Sequence, residues 1–197
     1  VRLTQSLSPH TSLFTLGYMR TARMVAYLKQ PMIEEIIELD KTQKTIIILD
    51  QITDPQNIGA ILRSATAFSI DAMICLNNKS NIIESAIIAK VACGALENTP
   101  IVTVTNLSRT IDLLKKHNFW VIGLDGEKNN SDITNCNFTN NIAVIIGSED
   151  KGLRRLTKEK CDIIARIDIN NINSLNAAQA ATIACYEMQR QRKNNTN

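Results

Sequence analysis

From residue 45 onward, short runs of β-branched apolar residues alternate with stretches of helical apolar spacing. Thr45–Leu49 (TIIIL) is too short for a helix and apolar on both faces, the pattern of a strand buried inside a parallel sheet. Further strands are predicted at Ala72–Leu76, Ile101–Val104, Phe119–Leu124, Ile142–Ile146 and Ile163–Ile167. Helices are predicted at Ile58–Phe68, Ile82–Leu96, Leu107–His117, Leu153–Cys161 and Leu175–Gln191, with a further one at Met32–Leu39 ahead of the first strand. Such alternation predicts an α/β domain with a parallel sheet. Ligands of such sheets bind beyond the carboxyl ends of the strands, so the residues after each strand carry the functional information.

Composition narrows the classes. The 197 residues suit one domain of ordinary size, and 44% hydrophobic content excludes a wholly disordered chain. Aromatics are only 4%, so the core is aliphatic and RNA recognition on an aromatic stacking platform is disfavoured. A net charge of +3 leaves any polyanion contact to local clustering. The five cysteines form no C-x-x-C pair, which points to buried or free thiols in a reducing, cytoplasmic setting and to no metal site. His117 follows Lys115 and Lys116 at a helix end, a solvated cap. No apolar run approaches the roughly 18 residues of a membrane span, so a soluble protein is expected.

Residues 1–33 contain no acid but do contain Arg2, Arg20, Arg23 and Lys29 among many Ser and Thr. Organellar transit peptides share that composition. Pro9 and Gly17 interrupt any regular amphipathic helix, however, and the segment reads as a partly disordered leader or linker remnant over 1–40, ahead of a domain at 41–197.

Three strand ends stand out. After the first strand come Asp54-Pro55, a turn signal, then Asn57, placed to cap a helix, then Gly59 and Arg63. After Ile142–Ile146 comes Gly147-Ser148-Glu149-Asp150-Lys151-Gly152, two glycines flanking two acids. After Ile163–Ile167 a polar stretch leads to Ser174-Leu175-Asn176 at the start of the last helix. Together these loops describe a small-molecule site made of backbone groups and short polar side chains. A phosphate-binding G-x-x-x-x-G-K-[ST] loop and a dinucleotide G-x-G-x-x-G fingerprint are both missing. From the residues alone the reading stops at an α/β domain with a ligand site of another kind.

The three loops closely resemble the SpoU family of RNA ribose 2′-O-methyltransferases, of the SPOUT superfamily. The family pattern N-x-G-x-x-x-R stands as Asn57, Gly59 and Arg63; G-[SA]-E-x-x-G as Gly147, Glu149 and Gly152; S-L-N as Ser174, Leu175 and Asn176. The intervening VACGALENTPIVTVTNLSRT resembles the branch that methylates guanosine in bacterial 23S rRNA. The resemblance covers roughly residues 33–192. It implies a SPOUT fold with a C-terminal trefoil knot, which composition could not suggest because knots are nearly absent from proteins. It also implies S-adenosylmethionine as methyl donor, rRNA as partner, a homodimer, and no metal. Asn57, Arg63, Glu149, Ser174 and Asn176 match catalytic and orienting positions, and Leu124, Gly126, Gly147, Ile167 and Leu175 match the cofactor-binding ones. A tRNA substrate, or a degenerate RNA-binding knot, are the other readings. The family's I-P-M-x-G stretch stands here as Ile167-Asp168-Ile169-Asn170-Asn171, one residue shorter, with Asp168 in place of Pro and a glycine missing.

Two further expectations follow from spacing. Lys151, Arg154, Arg155 and Lys158 form the densest basic run and are predicted on one side of the helix after Gly152, as an RNA contact. Leu175, Ala178, Ala181, Thr182, Cys185 and Met188 recur at helical spacing and predict an apolar face, for a core or for a dimer.

Overall fold

The computed structural model describes residues 31–76, 85–127, 129–172 and 174–194. Helix α1 (Ile33–Ile37) leads into β1 (Thr45–Asp50), α2 (Pro55–Ala67), β2 (Ala72–Leu76) and α3 (Ala86–Ala92). Then follow β3 (Ile101–Val104), α4 (Leu107–Lys116), β4 (Trp120–Leu124) and β5 (Ser131–Asp132). The chain continues through β6 (Ile142–Gly147), α5 (Arg155–Lys160), β7 (Ile163–Arg166) and α6 (Ala177–Asn194). Among the described residues no helix is long and apolar enough to cross a membrane.

The strands form one parallel sheet in the order β3-β2-β1-β6-β4-β7-β5. Burial follows the two-residue period of the strands. Ile47, Leu49, Met73, Val144 and Ile146 face α2, α3 and α6, while Ile46, Ile48, Ile74, Val102 and Ile145 face α1 and α4. With helices on both faces, β1 is buried at every position, which is why TIIIL shows no alternation. Ile36 and Ile37 of α1 pack into the second cluster, so the packed body begins before the expected boundary at residue 41.

Most predicted elements are present, and the differences have local causes. Strand β5 is two polar residues long, too short to show periodicity. The helix expected over Ile82–Leu96 begins outside the described residues and stops at Cys93 (φ 50°) and Gly94 (φ 85°), whose left-handed backbone ends α3 before a 3₁₀ turn at Ala95–Glu97. Asp54, not Asn57, caps α2: its Oδ1 accepts from the Gln56 amide, and Pro55 takes the first helical position, where no amide is needed. Asn57 is thus inside the first turn with its side chain free for other work.

Register gathers the functional loops. Asp50 is paired with Gly147, and Leu124 with both Ile146 and Ala165, so β1, β6, β4 and β7 end at one edge of the fold. Two glycines make the approaches there close enough. A Cβ at Gly59 would lie 2.8 Å from Val91 Cβ, so this glycine serves the packing of α2 on α3. A Cβ at Gly147 would lie 2.4 Å from the Gly152 carbonyl carbon, because the loop folds back on β6 and bridges Ser148 to Gly152.

Candidate active site

At that edge lies a cavity of about 950 Å³, within the roughly 300–1,000 Å³ common for small-molecule sites. Leu124 and Gly126 from the β4 exit, Gly147 from the β6 exit, and Ile167 and Leu175 from the β7 exit all line it. Its lining combines apolar side chains, Leu124, Ile146 and Leu175 among them, with charged ones such as Asp125, Lys151 and Arg166, which suits a ligand with both apolar and charged parts. A smaller cavity of about 440 Å³ lies next to it between the β1 and β6 exits.

The three loops meet at one carboxylate oxygen. Glu149 Oε1 accepts from Asn57 Nδ2 at 3.0 Å, from Asn176 Nδ2 at 2.6 Å and from the Ala177 amide at 3.2 Å. Asn176 Nδ2 also donates to Asn57 Oδ1 at 3.0 Å, and Asn176 Oδ1 accepts from the Ala178 amide at 2.8 Å. Residues 57, 149 and 176 are therefore locked together across more than a hundred positions of sequence, with the carboxylate at the start of α6, where the helix favours negative charge. Ser174 is exposed on the wall of the larger cavity.

Arg63 is not part of this cluster. It lines neither cavity, and its Nη1 lies 3.7 Å from Cys93 Sγ. Six residues of α-helix turn the chain about 240° beyond a full circle, so Arg63 leaves α2 on a different face from Asn57.

The basic run is not a single free face. Helix α5 starts only at Arg155, which puts Lys151 and Arg154 in the loop ahead of it. Arg154 is turned inward: its amide donates to Asp50 Oδ2 at 3.0 Å and its Nε to Asp50 Oδ1 at 2.6 Å. The Asp50 side chain is fully buried, and a buried carboxylate needs such a partner. Lys158 lies between Asp125 Oδ2 at 2.7 Å and Glu127 Oε1 at 2.8 Å, and those hydrogen bonds hold its ammonium above the ordinary lysine range. Arg155 pairs with Glu159 on the exposed side of α5, and Lys151 is exposed on the rim shared by both cavities. Spacing could not reveal these partners because they are distant in sequence. The one local signal for Asp50 is an acid closing a strand that is otherwise apolar or β-branched.

The predicted face of the last helix is divided. Ala181, Cys185 and Met188 are buried in the core beside α2, and Thr182 hydrogen-bonds Ser64 of α2 at 2.7 Å. Leu175 precedes α6 and lines the larger cavity. All five cysteines are free; burial pushes the thiols of Cys75, Cys161 and Cys185 up to about 12, and Cys93 is exposed. No group of three or more His, Cys, Asp or Glu able to hold a metal ion occurs among the described residues.

Residues 44–186 match the model of the SpoU rRNA Methylase family. The chain is 41% identical over 178 residues to the 23S rRNA (guanosine-2′-O-)-methyltransferase RlmB of Coxiella burnetii, covering 90% of this chain and 70% of the relative. It is 40% identical over 163 residues to RlmB of Pseudomonas putida, covering 82% of this chain and 65% of that one. Among solved structures, the SpoU methyltransferase AviRb from Streptomyces viridochromogenes in complex with AdoMet superposes with a TM-score of 0.73 at 27% identity, covering 83% of this chain and 66% of that one. This chain thus spans about two thirds of the length of the relatives it matches.

Proposed function

The chain belongs to the SpoU rRNA methylase family, and from that premise we propose that it transfers a methyl group from S-adenosylmethionine to the 2′-hydroxyl of a guanosine in 23S rRNA. The observation that carries this reading is the Asn57–Glu149–Asn176 cluster on the edge of the larger cavity, where three strand-exit loops converge. The altered β7 exit is compatible with it. Asn171 there takes a left-handed backbone (φ 67°), a region that asparagine tolerates well.

When bound, S-adenosylmethionine supplies a methyl group on a sulfonium with a neutral thioether as leaving group. The residues of this chain provide the rest. Backbone at Leu124–Gly126 and Gly147, with Ile167 and Leu175, holds and orients the donor in the larger cavity. Asn57 and Asn176 fix the rotamer of Glu149. Arg63, always cationic, grips the phosphate beside the target ribose and lowers the charge cost at the developing alkoxide.

Because Arg63 lies away from the cluster in its own subunit, the reading includes a homodimer in which Arg63 serves the partner's site. It also includes a trefoil knot in the C-terminal part, supported by the position of β6 inside the sheet while β7 lies beyond β4 and α6 returns to pack on α2. A cytoplasmic location belongs to the same proposal.

Calorimetry with S-adenosylmethionine and mass-spectrometric mapping of 2′-O-methyl groups on rRNA and tRNA test it. Donor binding and a single new mark on 23S rRNA are expected. A mark on tRNA alone would move the substrate, and failure to bind the donor would leave the degenerate reading. A light-scattering mass equal to one chain would remove the dimer.

A further inference from the structure

Helices α2 (PQNIGAILRSATA) and α3 (AIIAKVA) contain no acid, and each carries a single charged residue, Arg63 and Lys90. Close packing sets the two helices side by side: a Cβ at Gly59 would lie 2.8 Å from Val91 Cβ and 3.2 Å from the Ile88 carbonyl oxygen. Cys93, which closes α3, joins the two cations. Its Sγ accepts from Arg63 Nη1 at 3.7 Å and donates to the Lys90 carbonyl oxygen at 3.4 Å. Lys90 and Cys93 stand three positions apart, as neighbours on a helix surface do, and Arg63, Lys90 and Cys93 are all exposed.

Cations on the other side of the site are committed. Arg154, Arg155, Lys158, Lys160 and Arg166 each hold a carboxylate. A phosphate arriving at any of them has to displace that partner. Among the described residues neither Arg63 nor Lys90 forms an ion pair, and Glu97, the first acid after α3, pairs with neither. A chain with a net charge of only +3 must draw its affinity for a polyanion from such unpaired local charge. A lysine in the last turn of a helix also suits the helix dipole, a role that would show in stability and not in the response of RNA binding to salt.

Resting on the methyl-transfer reading above, we propose that Lys90 is a second phosphate-binding cation for the acceptor RNA, holding the backbone phosphate next to the one gripped by Arg63. The α2–α3 ridge then engages the strand at two successive phosphates and sets the target ribose in register. Both cations belong to one subunit, so Lys90 accompanies Arg63 to whichever site that arginine serves. Phosphate contacts carry no sequence information, so this pair orients the strand and leaves the choice of guanosine to other groups. Lys90 touches no reacting atom and is a positioning residue.

Filter binding of 23S rRNA to the full chain over a series of salt concentrations, with S-adenosylhomocysteine present, tests the assignment. Lys90→Gln should reduce the slope of log affinity against log salt by about 0.7 to 0.9, the loss of one phosphate contact, and Lys90→Arg should restore it. The KM for 23S rRNA should rise about fivefold in Lys90→Gln with kcat unchanged, while S-adenosylhomocysteine affinity and melting temperature stay at their wild-type values. An unchanged salt slope in Lys90→Gln would overturn the proposal. A lowered melting temperature with that slope unchanged would overturn it too, by reducing Lys90 to its helix-dipole role. A fall in kcat with KM unchanged would overturn the positioning role by placing Lys90 at the chemistry. A wild-type chain that binds S-adenosylhomocysteine yet neither binds nor methylates 23S rRNA would remove the functional reading and this proposal together. An active wild type whose salt slope Lys90→Gln leaves intact removes this proposal alone.

Discussion

Two strand-exit loops border the larger cavity and are built in opposite ways. The β6 exit, Gly147 to Arg154, is fixed on every side. Gly147 sits under Gly152 with no space for a Cβ, Ser148 bridges Gly152, Glu149 takes three hydrogen bonds, and Arg154 anchors the far end to buried Asp50. The β7 exit over its described residues 167–172 is more open. Its ion pair, Arg166 with Asp168 at 2.5 Å, has the acid largely exposed, and Ile172 is 57% exposed. The carboxylate that must be held in one rotamer sits on the rigid loop. The more open loop, which also lines the larger cavity, is the one that differs from the family pattern in length and residue type. Rigidity is concentrated where geometry decides chemistry, and variation falls where contacts are solvated.

The comparison can be broken by substitution. Arg154→Ala should have the largest effect, since Asp50 would remain fully buried without its cation; a loss of about 3 kcal/mol is expected in urea unfolding. Retained stability would mean that the Arg154 backbone amide alone satisfies Asp50. Gly147→Ala should cost about 2 kcal/mol through the clash with Gly152. It should also abolish S-adenosylhomocysteine binding in calorimetry, and a variant that binds normally would show the loop to be more pliable than its contacts imply. Asp168→Ala should cost only about 0.5 kcal/mol because the pair it breaks is exposed. A melting temperature shifted as far as that of Arg154→Ala would erase the distinction between the two loops.

Much of the site was legible before any coordinates. The resemblance singled out Asn57, Glu149 and Asn176, which the structure brings together, and Leu124, Gly126, Gly147, Ile167 and Leu175, which line one cavity. The reading of Asn57 as a helix cap missed because Asp54 and Pro55 compete for the same helix start with better geometry. The basic run at residues 151–158 was legible as charge but not as availability. Whether a lysine or arginine faces solvent or a carboxylate depends on Asp50, Asp125 and Glu127, all of which lie more than twenty residues away.

The amino-acid sequence alone determined the strand–helix alternation, the parallel sheet and the family motifs, because periodicity and turn chemistry are properties of neighbouring residues. Only the tertiary structure decided that β6 lies between β1 and β4 and that three distant loops share one oxygen of Glu149. It alone decided that Arg154 points inward and Arg63 away from the cluster. Those outcomes depend on which surfaces meet when the chain closes on itself, and burial makes a partner obligatory only once the chain has brought two residues together.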